Sequence, residues 1–382
     1  MDKAKLIETV KKSPLLYKSY YYVMSFAVNL LKMFLVSDNK LILFVSYGGR
    51  YFNDSPKYIY ESMKRDKRFS DYKLVWAFRE PQAHEVEDKI KIDTLQFYKA
   101  ALKARCWVTN VNIERGLNFK GLNTYYFHTT HGTLPKLSGN DIKKGSSFGW
   151  GFKYRYDCSC AQSELEKHYQ LHMYNLKPEQ VLVCGYPKND RLANVTHQQI
   201  LEIRDRLGIP NNKKVLMYAP TFRENNPTGI AIPVDFNKWR ERLGDEYILL
   251  FRAHPIVVES LKLDHNNGFL FDVSSYPDNV DLMIASDALI SDYSGIFFEY
   301  AILNRPMYCF AYDYDEYEKT RGLYFDIRKE LPGGMLDEDG LLALIKTEEN
   351  VMKQVHDFRS KYVTEFGHAT ERALNSIYDH IQ

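Results

Sequence analysis

The stretch Ala288-Leu289-Ile290-Ser291-Asp292-Tyr293-Ser294-Gly295-Ile296-Phe297-Phe298-Glu299-Tyr300-Ala301 reads as strand, turn and helix in succession. Its first apolar run ends at Ser291, a polar turn follows, and an apolar helix begins near Gly295. Hydroxyls and free amides at a helix start form an anion site by geometry and dipole, so a diphosphate would be held there without a metal. The plainer alternative is a cap, with Ser294 or Asp292 closing the helix. Glu299, one turn in, is either an acceptor for ribose hydroxyls or a solvated helix residue.

The same alternation runs outward from this unit. Strand-like runs fall at residues 40–46, 72–77, 106–110, 124–129, 156–161 and 181–184. After a helical stretch and the breaker-rich Gly208-Ile209-Pro210-Asn211-Asn212, they resume at 214–219, 247–252, 269–272, 288–291 and 307–310. Repeated βα units of this kind build parallel sheets. The expectation is an α/β protein of GT-B architecture, two Rossmann-like domains facing across a cleft. The divisions are an N-terminal amphipathic region at 1–38, an acceptor domain at 39–208, a donor domain at 209–350, and a C-terminal helix at 351–382 that crosses back to the first domain.

A chain of 382 residues suits two such domains. Lys+Arg of 51 against Asp+Glu of 49 leaves +2, so no global field argues for nucleic acid. Five cysteines without CxxC pairs are no disulfide framework and point to a reducing compartment. No third or fourth ligand accompanies Cys158 and Cys160, and Asp313 with Asp315 sits in a tyrosine-rich loop, so no metal is expected. Residues 14–36 are apolar and aromatic but interrupted by Lys18, Asn29 and Lys32, and no small-residue cleavage site follows. They fit a helix lying in the membrane surface better than one that spans it, and a buried packing helix is the other option.

Two histidines stand in rigid contexts after apolar runs. His131 opens His131-Gly132-Thr133-Leu134-Pro135-Lys136, where Gly132 admits close approach of a ligand and Lys136 supplies a cation. His254 lies in Phe251-Arg252-Ala253-His254-Pro255, where the proline holds it extended beside Arg252. Imidazoles so placed suit proton transfer or phosphoryl recognition, whereas a structural histidine needs only a carbonyl. His128 reads as a packing residue. Gly185-Tyr186-Pro187-Lys188-Asn189-Asp190-Arg191 and Tyr218-Ala219-Pro220-Thr221-Phe222-Arg223 each add a cation after a proline-fixed turn, and Ser46-Tyr47-Gly48-Gly49-Arg50 suits a phosphate or acceptor loop.

With these residues in hand, the sequence resembles the CDP-glycerol glycerophosphotransferase family of teichoic acid and capsule synthesis. The carrying stretches are HGTLPK, GYPKNDRL, YAPTFR, FRAHP, the long run from Ser291 to Tyr317, and RGLYFDI. The resemblance implies CDP-glycerol as donor, no cofactor, and an undecaprenyl-diphosphate-linked acceptor, with the protein peripheral on the cytoplasmic face of the cell membrane. It places catalytic roles on His131 and His254, and donor binding on Lys136, Arg191, Pro220, Thr221, Arg252, Ser291, Ser294 and Glu299. The loop readings add Gly132, Thr133, Asp292 and Gly295. The family loop usually reads His-Gly-Thr-Pro-Leu-Lys, whereas here Leu134 precedes Pro135. The absence of the large polymerases' N-terminal extension points to a short primase-like or few-unit transferase. A CDP-ribitol transferase, another GT-B nucleotide-sugar enzyme and a non-catalytic nucleotide-binding scaffold stay open, as does the oligomeric state.

Overall fold

The computed structural model describes residues 13–142, 154–221, 234–253 and 268–382. Among those residues twelve strands form two sheets. The first contains Asp38–Val45 (β1), Lys73–Phe78 (β2), Lys89–Lys91 (β3), Ala104–Thr109 (β4), Tyr125–His128 (β5), Cys158–Ala161 (β6) and Val181–Val183 (β7), in the order β3-β2-β1-β4-β5-β6-β7. The second contains Lys214–Ala219 (β8), Tyr247–Phe251 (β9), Leu270–Asp272 (β10), Ala288–Ser291 (β11) and Met307–Cys309 (β12), in the order β10-β9-β8-β11-β12. Every pairing is parallel. Parallel strands are covered on both faces, which is why β1 from Leu41 onward and the whole of β9 are unbroken apolar runs, all buried.

Each sheet reverses its strand order beside its first strand, between β1 and β4 and between β8 and β11. Rossmann-like sheets bind ligands outside the strand carboxyl ends at such points. The fold therefore presents two prepared positions, one per domain. β3 is the strand absent from the sequence expectation. It has three residues, two of them exposed lysines, and only Ile90 is buried.

The expected boundary between the domains moves. The helix His197–Arg206 packs on Asn279–Ala285, and Arg204 donates to the Ala285 carbonyl (2.9 Å) and to Asp287 (2.7 Å). Leu192 and Ile203 belong to the second core. The chain thus enters the second domain near Asp190, ahead of the breaker-rich 208–212, because apolar burial outranks local turn composition. The C-terminal segment is two helices, Glu348–Tyr362 and Ala369–Ile381. Val355 and Phe358 of the former pack in the second core, while Leu374 and Ile377 of the latter pack on the first sheet. The break contains Gly367 at φ +86.

The two inter-domain crossings touch. A Cβ on Gly185 would stand 2.6 Å from the Glu365 carbonyl. Asp190 accepts the amides of Ala369 (2.9 Å) and Thr370 (2.8 Å), capping the last helix.

The N-terminal helix Pro14–Lys32 is held through Ser25, Val28 and Asn29. Val28 is buried, Asn29 Nδ2 donates to the Asn118 carbonyl (2.6 Å), and the Asn118 amide donates to Ser25 (2.9 Å). Met24 and Leu31 pack on the same core, while Tyr22, Val23 and Phe26 face outward, each about two-thirds exposed, and beyond the helix Met33, Phe34 and Val36 are more exposed still. Among the described residues no helix is long and apolar enough to cross a membrane.

Candidate active site

The loop after β5 carries His131 to the carboxyl edge of the first sheet. Thr130 at φ +53 and Gly132 at φ +126 bend it sharply, a concentration of strain that packing must hold. The packing is a buried polar network. Thr133 Oγ1 accepts from Gln162 Nε2 (2.6 Å) and lies 3.4 Å from the Tyr186 hydroxyl, and Tyr186 in turn bonds Glu166. Glu166 Oε2 accepts the Gln162 amide (2.8 Å). Thr133, expected on the donor, is thus a buried support of the histidine loop.

This loop lies directly on the second domain. A Cβ on Gly295 would meet the Thr133 carbonyl at 2.3 Å, and one on Gly132 would meet Glu299 Oε1 at 3.0 Å. Lys136 forms an antiparallel bridge with Leu323, and the Tyr324 amide donates to the Pro135 carbonyl (2.8 Å). Both glycines are required by close approach between domains.

At the centre stands Lys188. Its Nζ donates to Asp54 Oδ2 (3.2 Å), to the His131 carbonyl (3.1 Å) and to Glu299 Oε1 (2.8 Å). Asp54 and Glu299 belong to different domains, so one buried ammonium joins both. Burial opposes its charge, but the two carboxylates outweigh that and hold Lys188 well above the lysine range. Burial likewise works against Asp54, yet Lys188 and the Ser55 amide keep it below its ordinary value. Burial pushes Glu299 up, with Lys188 opposing. Tyr47, at φ +44, donates from its hydroxyl to Asp54 Oδ2 (2.9 Å) and places its ring 6.3 Å from the His131 ring.

His131 is exposed at the cleft edge, yet the mass of protein around it lowers its pKa below the imidazole norm. Lys188 and Lys136 push the same way, and Asp54 opposes them. Its ring is therefore neutral at pH 7 and able to accept a proton. His128 is buried, with its pKa pulled down to about 3 by burial, and stacks on Tyr156 at 3.9 Å, a packing role.

The remaining candidates divide. Ser291 Oγ donates to the Ala219 carbonyl (2.6 Å), tying β11 to β8. Asp292 Oδ1 accepts the amides of Thr221 (2.9 Å) and Tyr293 (2.7 Å) and so orders the Pro220–Thr221 turn. Ser294 Oγ accepts the Ile296 amide (3.3 Å), although the cap position of the five-residue helix Ile296–Tyr300 falls on Gly295. Arg252 donates to the carbonyls of Val273 (3.1 Å) and Tyr276 (2.8 Å), with burial lowering its pKa. Arg191, expected as a donor cation, pairs with Asp278 (3.1 Å) and Asp281 (2.6 Å) within the second domain. His254 lies outside the described residues. Asp313 accepts from the Tyr293 hydroxyl (2.9 Å).

Two Rossmann-like domains, with a histidine loop of one seated on the switch point of the other, define a group-transfer enzyme of GT-B build. Residues 26–379 match the CDP-glycerol:poly(glycerophosphate) glycerophosphotransferase family, and the chain belongs to it. It is 35% identical over 340 residues to the teichoic acid poly(glycerol phosphate) polymerase of Staphylococcus epidermidis, covering 83% of this chain and 47% of that protein. Against the teichoic acid glycerol-phosphate transferase of Staphylococcus aureus it is 31% identical over 370 residues, 89% of this chain and 93% of that one. The chain thus spans about half of the first relative and nearly all of the second. A solved structure of the wall teichoic acid polymerase TagF superposes with a TM-score of 0.83 at 30% identity, covering 100% of this chain and 99% of that one. Another TagF structure was soaked with CDPG.

Proposed function

We propose that the chain transfers glycerol phosphate from CDP-glycerol to a hydroxyl of an undecaprenyl-diphosphate-linked acceptor, releasing CMP, in teichoic acid or related capsular polymer synthesis. One observation carries the reading: the His131 loop is packed on the β8/β11 switch point through Gly132, Gly295 and the Lys188 bridge. The acceptor oxygen attacks the β-phosphorus, the bond to the bridging oxygen breaks, and its electron pair leaves on CMP. The hydroxyl proton passes to neutral His131. Arg252 and, by its place in the sequence, His254 stabilise charge on the diphosphate. Phosphoryl transfer is mainly positioning and electrostatics, so fixed cations suffice and no cofactor enters.

The outward apolar face of Pro14–Lys32 supports a peripheral seat on the cytoplasmic face of the membrane. Co-sedimentation with anionic vesicles tests it, and a Val23→Asp, Phe26→Asp double variant that still sediments fully would refute it.

The decisive experiment gives purified chain and a short-chain lipid acceptor a panel of CDP-glycerol, CDP-ribitol and UDP-sugars, and follows CMP release and product mass. CMP is expected from CDP-glycerol alone, with a product heavier by glycerol phosphate units. Turnover with CDP-ribitol alone, or CDP-glycerol binding with no CMP on any acceptor, would overturn the assignment.

A further inference from the structure

Three arginines converge on the switch point of the first sheet. Arg50 follows β1, Arg79 follows β2 and Arg115 lies in the loop after β4; Arg79 and Arg115 meet at Gly48, and Arg50 is within electrostatic reach of Arg79. Gly48 sets how close they come. At φ +62 and without a side chain, a Cβ there would lie 2.6 Å from Arg115 Nη1 and 3.9 Å from Arg79 Nη2. Two guanidiniums therefore share one small volume over a bare backbone. Arg79 is fixed to the loop itself, donating Nε to the Gly48 carbonyl (3.2 Å) and its amide to the Gly49 carbonyl (2.6 Å). The loop is pinned in turn by Asn110, whose Oδ1 accepts the Tyr47 amide (2.9 Å).

Charge in this cluster is unbalanced. Arg115 forks onto Asp93 at 3.0 Å through both nitrogens. Among the described residues Asp93 is the only carboxylate bonded to any of the three, so three guanidiniums against one carboxylate leave two positive charges in excess. Burial, then Arg50 and Arg115, depress the pKa of Arg79, the sign of crowded like charges. Planar forks over a glycine backbone match the oxygens of a phosphoryl group better than any neutral ligand.

We propose that Arg50, Arg79 and Arg115 form the subsite for a phosphate of the acceptor, holding it so that the neighbouring hydroxyl reaches His131. The proposal rests on the reading of the chain as a glycerophosphotransferase. The cradle begins one residue from Tyr47, whose ring is 6.3 Å from that of His131. The donor diphosphate has its own position at the other sheet, so this cluster answers to the second substrate.

Steady-state kinetics on Arg79→Gln and Arg50→Gln test it, with a lipid acceptor ending in glycerol phosphate and one ending in an uncharged hydroxyl. KM for the phosphate-bearing acceptor should rise about tenfold or more per arginine, the worth of a charge-assisted hydrogen bond. KM for CDP-glycerol and for the uncharged acceptor should stay within about twofold. An unchanged acceptor KM, or a rise confined to CDP-glycerol, overturns the proposal. Titration of the full chain with a soluble glycerol phosphodiester trimer separates this inference from the functional reading. Weaker binding to the variants than to wild type supports the subsite even if no CMP is formed, and equal binding refutes it. Arg50 makes no ion pair among the described residues, so Arg50→Gln keeps the test open if Arg79→Gln does not fold.

Discussion

At the switch point of the second sheet the polar side chains are committed to the chain itself: Ser291 to Ala219, Asp292 to Thr221 and Tyr293, Ser294 to Ile296. At the switch point of the first sheet the polar groups are arginines in excess over carboxylates. Two sheets of the same strand order are thus furnished oppositely. Where side chains lock the turns, the surface offered to a ligand is fixed in shape, as suits a nucleotide. Where long cations crowd one loop, they can follow a ligand whose end varies, as a growing polymer's does.

The largest way to break this division of labour is His131→Ala. It should lower kcat by about two to four decades, the usual worth of a positioned base, with CDP-glycerol binding kept within a few-fold by calorimetry. In the wild type the acid limb of kcat/KM should fall below 6.5, because burial and two lysines lower the His131 pKa. A limb above that value would place the base elsewhere.

Next comes the bridge between the halves. Lys188→Met leaves Asp54 and Glu299 buried without their cation and should cost about 3–5 kcal/mol in urea unfolding. Adding Glu299→Gln should return part of that loss, a coupling that a double-mutant cycle reads directly. Gly295→Ala forces the Thr133 carbonyl away from a Cβ at 2.3 Å. Overpacking of this kind costs about 1–3 kcal/mol, and here it parts the two switch points, so kcat should drop more than the melting temperature suggests. Smallest is Tyr186→Phe, which removes one bond to Glu166 under the histidine loop. Denaturation should show a loss of about 1 kcal/mol, and activity should fall only slightly.

Much of the fold was legible because parallel strands are buried on both faces and so appear as uninterrupted apolar runs. β3 escaped since its lysines read as surface, and the true entry to the second domain near Asp190 was hidden behind a more conspicuous cluster of breakers at 208–212. In the site, the histidine loop was readable from glycine, proline and lysine at fixed offsets. Asp54 was not. It sits in Asn53-Asp54-Ser55-Pro56, which signals a helix start and nothing more, and its meaning comes from a lysine 134 residues away. Lys188 stood in view as a cation after a turn, but no local pattern announces that carboxylates from two domains will close on it. Ser291 and Thr133, both named from the sequence, have hydroxyls engaged by the scaffold, which no local pattern foretells.

The polypeptide passes between the domains twice, and the strands of those passages lie side by side, Gly185 on Glu365 and Asp190 on the first amides of the final helix. Away from these passages the halves meet again where Lys188 stands between Asp54 and Glu299, so chain connectivity at one place and a buried ion pair at another fix the same mutual register.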